Sequence, residues 1–172
     1  MQNVRAENGS KGIAVVKSPG AVLDTVVVKN PRGPYPAGQC VQFSQSHYGS
    51  LTNFHCLSEL DVAYNEDSIS LWRSSHVTLK DGVIDGNNAT TGQCVQVEGS
   101  KKGVTGGLIE NVEAINCQGC FAGSPIVGLR EKNLMCASTI CKSDNPPRGG
   151  KNRANMWTAG VNRGYGLKSD DI

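Results

Sequence analysis

The chain has 172 residues, of which 38% are hydrophobic and 19% charged, with a formal net charge of +2. That length suffices for one domain with its own core. The charge is too low and too mixed for a solvating disordered chain, and it lacks the clustered basic face of a nucleic-acid binder. No stretch approaches the ~18–20 apolar residues of a membrane helix. The opening MQNVRAENGSKG lacks the apolar centre of a secretion signal. Neither nucleic acid nor a membrane is an expected partner.

Two motifs advance together along the chain. The first is a short apolar strand led by a small residue: Gly12-Ile13-Ala14-Val15, Cys40-Val41-Gln42-Phe43, Ser68-Ile69-Ser70-Leu71, Cys94-Val95-Gln96-Val97, Cys120-Phe121-Ala122-Gly123, then Met156-Trp157-Thr158-Ala159. The steps from Ile13 through Val41, Ile69, Val95 and Phe121 to Trp157 are 28, 28, 26, 26 and 36 residues. Turns follow at 18–20, 47–49, 74–76, 101–103, 127–128 and 163–164. The second motif sets Asn or Asp before a mostly apolar pair: Asn3-Val4-Arg5-Ala6, Asp24-Thr25-Val26-Val27, Asn53-Phe54-His55-Cys56, Asp81-Gly82-Val83-Ile84, Asn111-Val112-Glu113-Ala114 and Asn133-Leu134-Met135-Cys136.

Apolar–polar alternation of period 2 is strand periodicity. Repeats of this length, each unable to bury its apolar face alone, must stack. They predict an all-β, single-stranded right-handed parallel β-helix of about six coils over residues 1–172. Its inward ladder runs Ile13, Val41, Ile69, Val95, Phe121. Beside it run Gly12, Cys40, Ser68, Cys94 and Cys120. The Asn/Asp of the second motif is expected at a bend, where its side chain bonds local backbone. Residues 142–155 read as a loop ejected from the last coil. Both ends lack a polar cap, so a fragment of a longer solenoid is expected, its ends covered by further coils or a partner chain.

The stretch from Tyr64 to Val97, YNEDSISLWRSSHVTLKDGVIDGNNATTGQCVQV, resembles the pectin-lyase-like superfamily of right-handed β-helices. The resemblance implies a polysaccharide as ligand or substrate. Against the polygalacturonases, Asn65-Glu66-Asp67 stands at their Asn-x-Asp. Their paired Asp would fall near Gly92-Gln93, their Gly-His-Gly near Gln118-Gly119-Cys120, and their Arg-x-Lys at Trp157-Thr158-Ala159; none is present. Inverting hydrolysis needs two carboxylates, so a polygalacturonase-type site would be degenerate. The alginate epimerases' Asp-Pro-His is replaced by Tyr64-Asn65-Glu66-Asp67.

A lyase or epimerase needs a base for the proton α to a carboxylate and cations for the enolate. Asp67, Tyr64, Arg73, His76, Lys80 and His55 are the candidates, with calcium as the cofactor a lyase would use. The bland alternative is a turn-closing Asp67 and a solvated rim. For substrate binding the candidates are Gln42 and Gln96 on the outward face of the strands, and Arg148, Lys151 and Arg153 in the loop. These loop cations would grip an acidic polysaccharide. A groove with converging carboxylate, cation and base on the outward face from Gln39 to Gln96 would mark an enzyme. A flat neutral row there would mark a non-catalytic structural or adhesive solenoid.

Cys117, Cys120, Cys136 and Cys141 form C-x2-C-x15-C-x4-C, which resembles structural zinc spacing. Cys120 and Cys136 also fit the inward rows as small apolar thiols. Disulfides of Cys117 with Cys141 or Cys136, or of Cys94 with Cys120, are the pairs expected to be reachable. They would suit an extracellular or periplasmic setting. Asn8-Gly9-Ser10 and Asn88-Ala89-Thr90 are glycosylation sequons.

Overall fold

The computed structural model describes residues 1–33, 37–58, 67–87, 93–99, 104–117, 119–124, 126–137 and 168–169. Among these, every regular element is a strand. They are β1 (Gln2–Glu7), β2 (Ile13–Val16), β3 (Val22–Lys29), β4 (Val41–Ser44), β5 (Ser50–Leu57), β6 (Ile69–Trp72), β7 (Thr78–Asp85), β8 (Gln93–Glu98), β9 (Val104–Thr105), β10 (Leu108–Ile115), β11 (Gly119–Ser124), β12 (Ile126–Val127), β13 (Arg130–Ala137) and β14 (Lys168–Ser169). The first sheet has the order β1-β3-β5-β7-β10-β13-β14, the second β2-β4-β6-β8-β11, and β9 pairs with β12. The pairings within these sheets are parallel. The fold is a parallel β-solenoid.

The second sheet matches the expected ladder. Ile13 pairs with Val41, Val41 with Ile69, Ile69 with Val95 and Val95 with Phe121. Val41, Ile69, Val95 and Phe121 are fully buried.

The first sheet departs from simple alternation. Its long strands bend at one residue with left-handed backbone: Asn3, Thr25, Asn53, Asp81, Asn111 and Asn133, with φ between 50° and 55°. That residue resets which side chains face inward. In β3 the buried positions are Leu23, Val26 and Val28; in β5 they are Leu51, Phe54 and Cys56. The expected bend residue Asp24 is therefore one position early, because Val4 pairs with Val26 and Val26 with Phe54. Thr25 occupies the bend. Asp24 instead accepts hydrogen bonds from Thr52 Oγ1 at 2.7 Å and Asn53 Nδ2 at 2.8 Å. These bonds, Thr52 first, hold its carboxyl below its ordinary value.

The inward row of the first sheet is uneven in volume. Phe54 pairs with Gly82, and a Cβ on Gly82 would sit 2.1 Å from Phe54 Cζ. The phenyl ring fills the space that a side chain at 82 would take.

Between the sheets lie three disulfides: Cys40–Cys56, Cys94–Cys117 and Cys120–Cys136. None is an expected pair. The inner row of the second sheet faces the inner row of the first across the core, so sulfurs bridge within one circuit rather than along a ladder. Cys40–Cys56 and Cys120–Cys136 both close a separation of 16 residues. At the equivalent place one circuit before Cys40, a Cβ on Gly12 would meet Val28 Cγ1 at 2.5 Å. An isopropyl group there fills the volume that a disulfide fills next door. A loop of this size is stabilised by about 3 kcal/mol per bridge. Cys117, Cys120 and Cys136 are thereby taken from the zinc-like spacing as thiolates, and Cys141 lies outside the described residues.

At the fourth level Gly106 is left-handed; the expected turn at 101–103 lies outside the described residues. The loop 142–155 and the strand Met156-Trp157-Thr158-Ala159 lie outside them as well.

Candidate functional site

The outer face of the first sheet is organised in three rows that cross its strands. Along the bend, Asn133 Nδ2 donates to Asn111 Oδ1 at 3.0 Å, and Asn111 Nδ2 donates to Asp81 Oδ1 at 2.7 Å. Short polar side chains tolerate left-handed backbone and keep an amide free to bond its neighbour. Each amide therefore bonds the side chain one strand before it. This run of amides ends on the Asp81 carboxylate.

A second row precedes the bend: Asp24, Thr52, Lys80, Glu110 and Lys132. Glu110 binds Lys132 at 3.0 Å and Lys80 at 3.3 Å. These bonds, Lys132 first, hold its carboxyl below its ordinary value. Lys80 is thus tied to a carboxylate rather than presented to a substrate.

A third row follows the bend: Arg5, Val27, His55, Val83, Glu113 and Met135. Bend and third row together form an open groove of about 320 Å³. Its walls include His55, Asp81, Val83, Asn111, Glu113, Asn133 and Met135, contributed by β5, β7, β10 and β13. At one strand spacing per step it runs roughly 14 Å across the sheet. His55 and Glu113 are two strands apart, about 10 Å, with Val83 between them. That spacing excludes a direct proton relay and leaves room for a ligand.

The expected site residues are distributed over three surfaces. Asp67 precedes β6, where its Oδ1 accepts the Gln93 backbone N–H at 2.9 Å. Arg73 and His76 lie exposed on the turn after β6, and the Arg73 guanidinium covers the Trp72 ring at 4.9 Å. His55 and Lys80 share the outer face of the first sheet but stand in different rows. Of the five catalytic candidates among the described residues, His55 alone lines the groove. Tyr64, Arg148, Lys151 and Arg153 lie outside the described residues, as does the Asn88 sequon.

On the outward face of the second sheet, Gln39, Ser70, Gln93 and Gln96 are buried. Gln42 Oε1 accepts from Lys11 Nζ at 2.9 Å, and Gln96 Nε2 donates to Glu98 Oε1 at 3.0 Å. Among the described residues that row is neutral, with Gln42 and Gln96 engaged by Lys11 and Glu98. The groove residues Asp81, Asn111, Glu113 and Asn133 were visible in the sequence only as bend and strand positions. Which of them share a face follows from the bend's reset of the alternation. Among the described residues, no three of His, Cys, Asp or Glu stand together as a metal site.

Compared with protein-family models, curated proteins and solved structures, the chain matches none.

Proposed function

We propose that this protein is a polysaccharide-binding solenoid whose ligand lies in the groove of the first sheet. One observation carries this: an open groove crossing four parallel strands, with Asp81, Asn111 and Asn133 repeating at strand spacing along the bend and His55, Val83, Glu113 and Met135 alternating polar and apolar beside them. A ligand that matches it is itself extended and repeating. Sugar hydroxyls pair with Asn and carboxylate oxygens, and sugar C–H faces pack on Val83 and Met135.

Binding fits the site better than catalysis. A lyase needs unpaired cations beside its base, yet Lys80 and Lys132 both bind Glu110. Asp81 and Glu113 give the groove a negative lining, which suits a neutral hydroxyl-rich chain; the loop cations that favour an acidic chain lie outside the described residues. The finer architecture belongs to the same proposal: a right-handed, pectin-lyase-like helix, supported by the parallel sheets and by the strong hand preference of parallel connections. Three disulfides support an oxidising, extracellular or periplasmic setting.

The test is calorimetric titration with neutral and uronate hexasaccharides, beside absorbance near 235 nm on uronate polymers. The expected result is binding by at least one hexasaccharide and a flat absorbance trace. Asn111→Ala and Glu113→Ala should each weaken binding about tenfold, on the scale of one charge-assisted hydrogen bond. A rising absorbance would restore the lyase. No binding to any hexasaccharide would leave a structural or adhesive solenoid.

A further inference from the structure

The turn that leads from the second sheet into the first carries two rows of left-handed residues: Lys17, Gln45 and Arg73, with φ between 49° and 52°, and then Gly20, Tyr48, His76, Gly106 and Gly128, with φ between 58° and 72°. Their backbones stack in register. Gly20 N–H donates to the His47 carbonyl, Tyr48 N–H to Ser75, His76 N–H to Thr105 and Gly106 N–H to Val127. Glycine is the residue that this backbone favours, and the second row is glycine at three of its five positions. The two exceptions are neighbours, and both are rings.

Those rings are exposed and ordered against each other. Tyr48 is 67% exposed, and its ring lies parallel to that of His76 at 4.9 Å with an interplanar angle of 1°. The pile is one-sided. A Cβ on Gly106 would sit 2.2 Å from His76 Nδ1, so the imidazole lies over that glycine. A Cβ on Gly20 would meet nothing within 4 Å. The ground beside Tyr48 on the Gly20 side is therefore open, one circuit wide. Next to it, His47 Nδ1 accepts the Ser75 backbone N–H at 3.1 Å. That bond places the imidazole proton on Nε2, as a donor.

We propose that Tyr48, backed by His76, is a stacking platform for one pyranose ring of the polysaccharide, with His47 Nε2–H as a donor to its hydroxyls. This rests on the polysaccharide reading above and adds a second contact outside the groove. A pyranose suits the place because its C–H face is weakly positive and the tyrosine face is negative. Tyr48 opens directly into β5, the strand that carries His55 into the groove, five residues before the bend at Asn53. From Tyr48 to His55, the groove residue on that strand, is roughly 23 Å of strand, within reach of one extended ligand.

The variants are chosen so that the fold is not at risk. Tyr48→Gly and His76→Gly restore the residue found elsewhere in the row, so melting should be unchanged or higher. Tyr48→Phe keeps the ring. Each is titrated with the same neutral and uronate hexasaccharides, with melting temperature recorded. The expected result is at least a tenfold loss for Tyr48→Gly, a smaller loss for His76→Gly, and affinity within twofold of wild type for Tyr48→Phe. If Tyr48→Gly binds like wild type while Asn111→Ala does not, the platform is wrong and the groove stands. If wild type binds none of the sugars, both proposals fall. A fall in melting temperature with Tyr48→Gly would show that the rings serve the fold, and would overturn the platform as well.

Discussion

The two sheets solve the same stacking problem differently. The second sheet uses strands of four to six residues and a nearly uniform inward row, Ile13, Val41, Ile69, Val95 and Phe121. The first uses eight-residue strands bent in the middle, and its inward row passes from Phe54 to Gly82. A uniform row tolerates change at any one level, because each side chain meets one of similar size. A row of unequal sizes does not, because each residue's volume is set by its neighbour. The bend that complicates the first sheet also turns polar side chains outward in rows. The sheet that is harder to pack is the one that carries the groove.

The largest expected effect breaks that packing. Gly82→Val should cost about 3 kcal/mol, the upper range for overpacking, because its Cβ meets the Phe54 ring. Adding Phe54→Val should recover most of the loss by making the row uniform. Ile69→Val in the second sheet should cost only about 1 kcal/mol. Urea unfolding of the four proteins checks the set. Equal costs for Gly82→Val and Ile69→Val, or no recovery in the double variant, would erase the difference between the sheets.

The next effect concerns the bend. Thr25 is the one β-branched residue in a row otherwise of Asn and Asp, and left-handed backbone disfavours it. Thr25→Asn should stabilise by about 1 kcal/mol. The added amide would also extend the row toward Asn53. A lower melting temperature would mean that Thr25's contact with Asp24, 3.5 Å from hydroxyl to carboxylate, matters more than backbone strain.

The same contrast decides what could be read from the chain. The second sheet obeys period 2, so its ladder and the small residues beside it were legible to the residue. In the first sheet the bend was legible as recurrent Asn and Asp, but Asp24 misled by one place. A left-handed residue leaves no mark of its own on hydrophobic periodicity. In VLDTVVVK, period 2 groups Leu23 with Thr25 and Val27, whereas the buried set is Leu23, Val26 and Val28. The disulfides were not legible because pairing depends on how the two sheets face each other across the core. Neither was the site: Asp67, Arg73 and Lys80 lie close in sequence, yet the circuit carries them to different surfaces. Tyr48 and His76 differ by 28 positions, like other stacked pairs, but what singles them out is the parallel stacking of their rings, which spacing does not show.

The smallest expected effect tests whether the outer face of the first sheet is built or merely solvated. Glu110 has an ordinary value of 4.5, and its bonds to Lys132 and Lys80 lower it in the folded protein. A carboxyl lowered by folding contributes stability that is present above 4.5. The contribution is lost as pH falls below that value and through the folded one. Asp24 adds a similar loss below its ordinary value of 3.8, through its bonds from Thr52 and Asn53. Lys132→Met should therefore move the Glu110 carboxyl upward toward 4.5, read by carbon NMR titration, and flatten the acid limb of the stability curve. Its effect at neutral pH should be small, because surface pairs contribute little. A wild-type Glu110 that titrates at its ordinary value would show the row before the bend to be loose. Lys80 would then be free to face a ligand, and the case against proton-abstraction chemistry on this sheet would lose its main support.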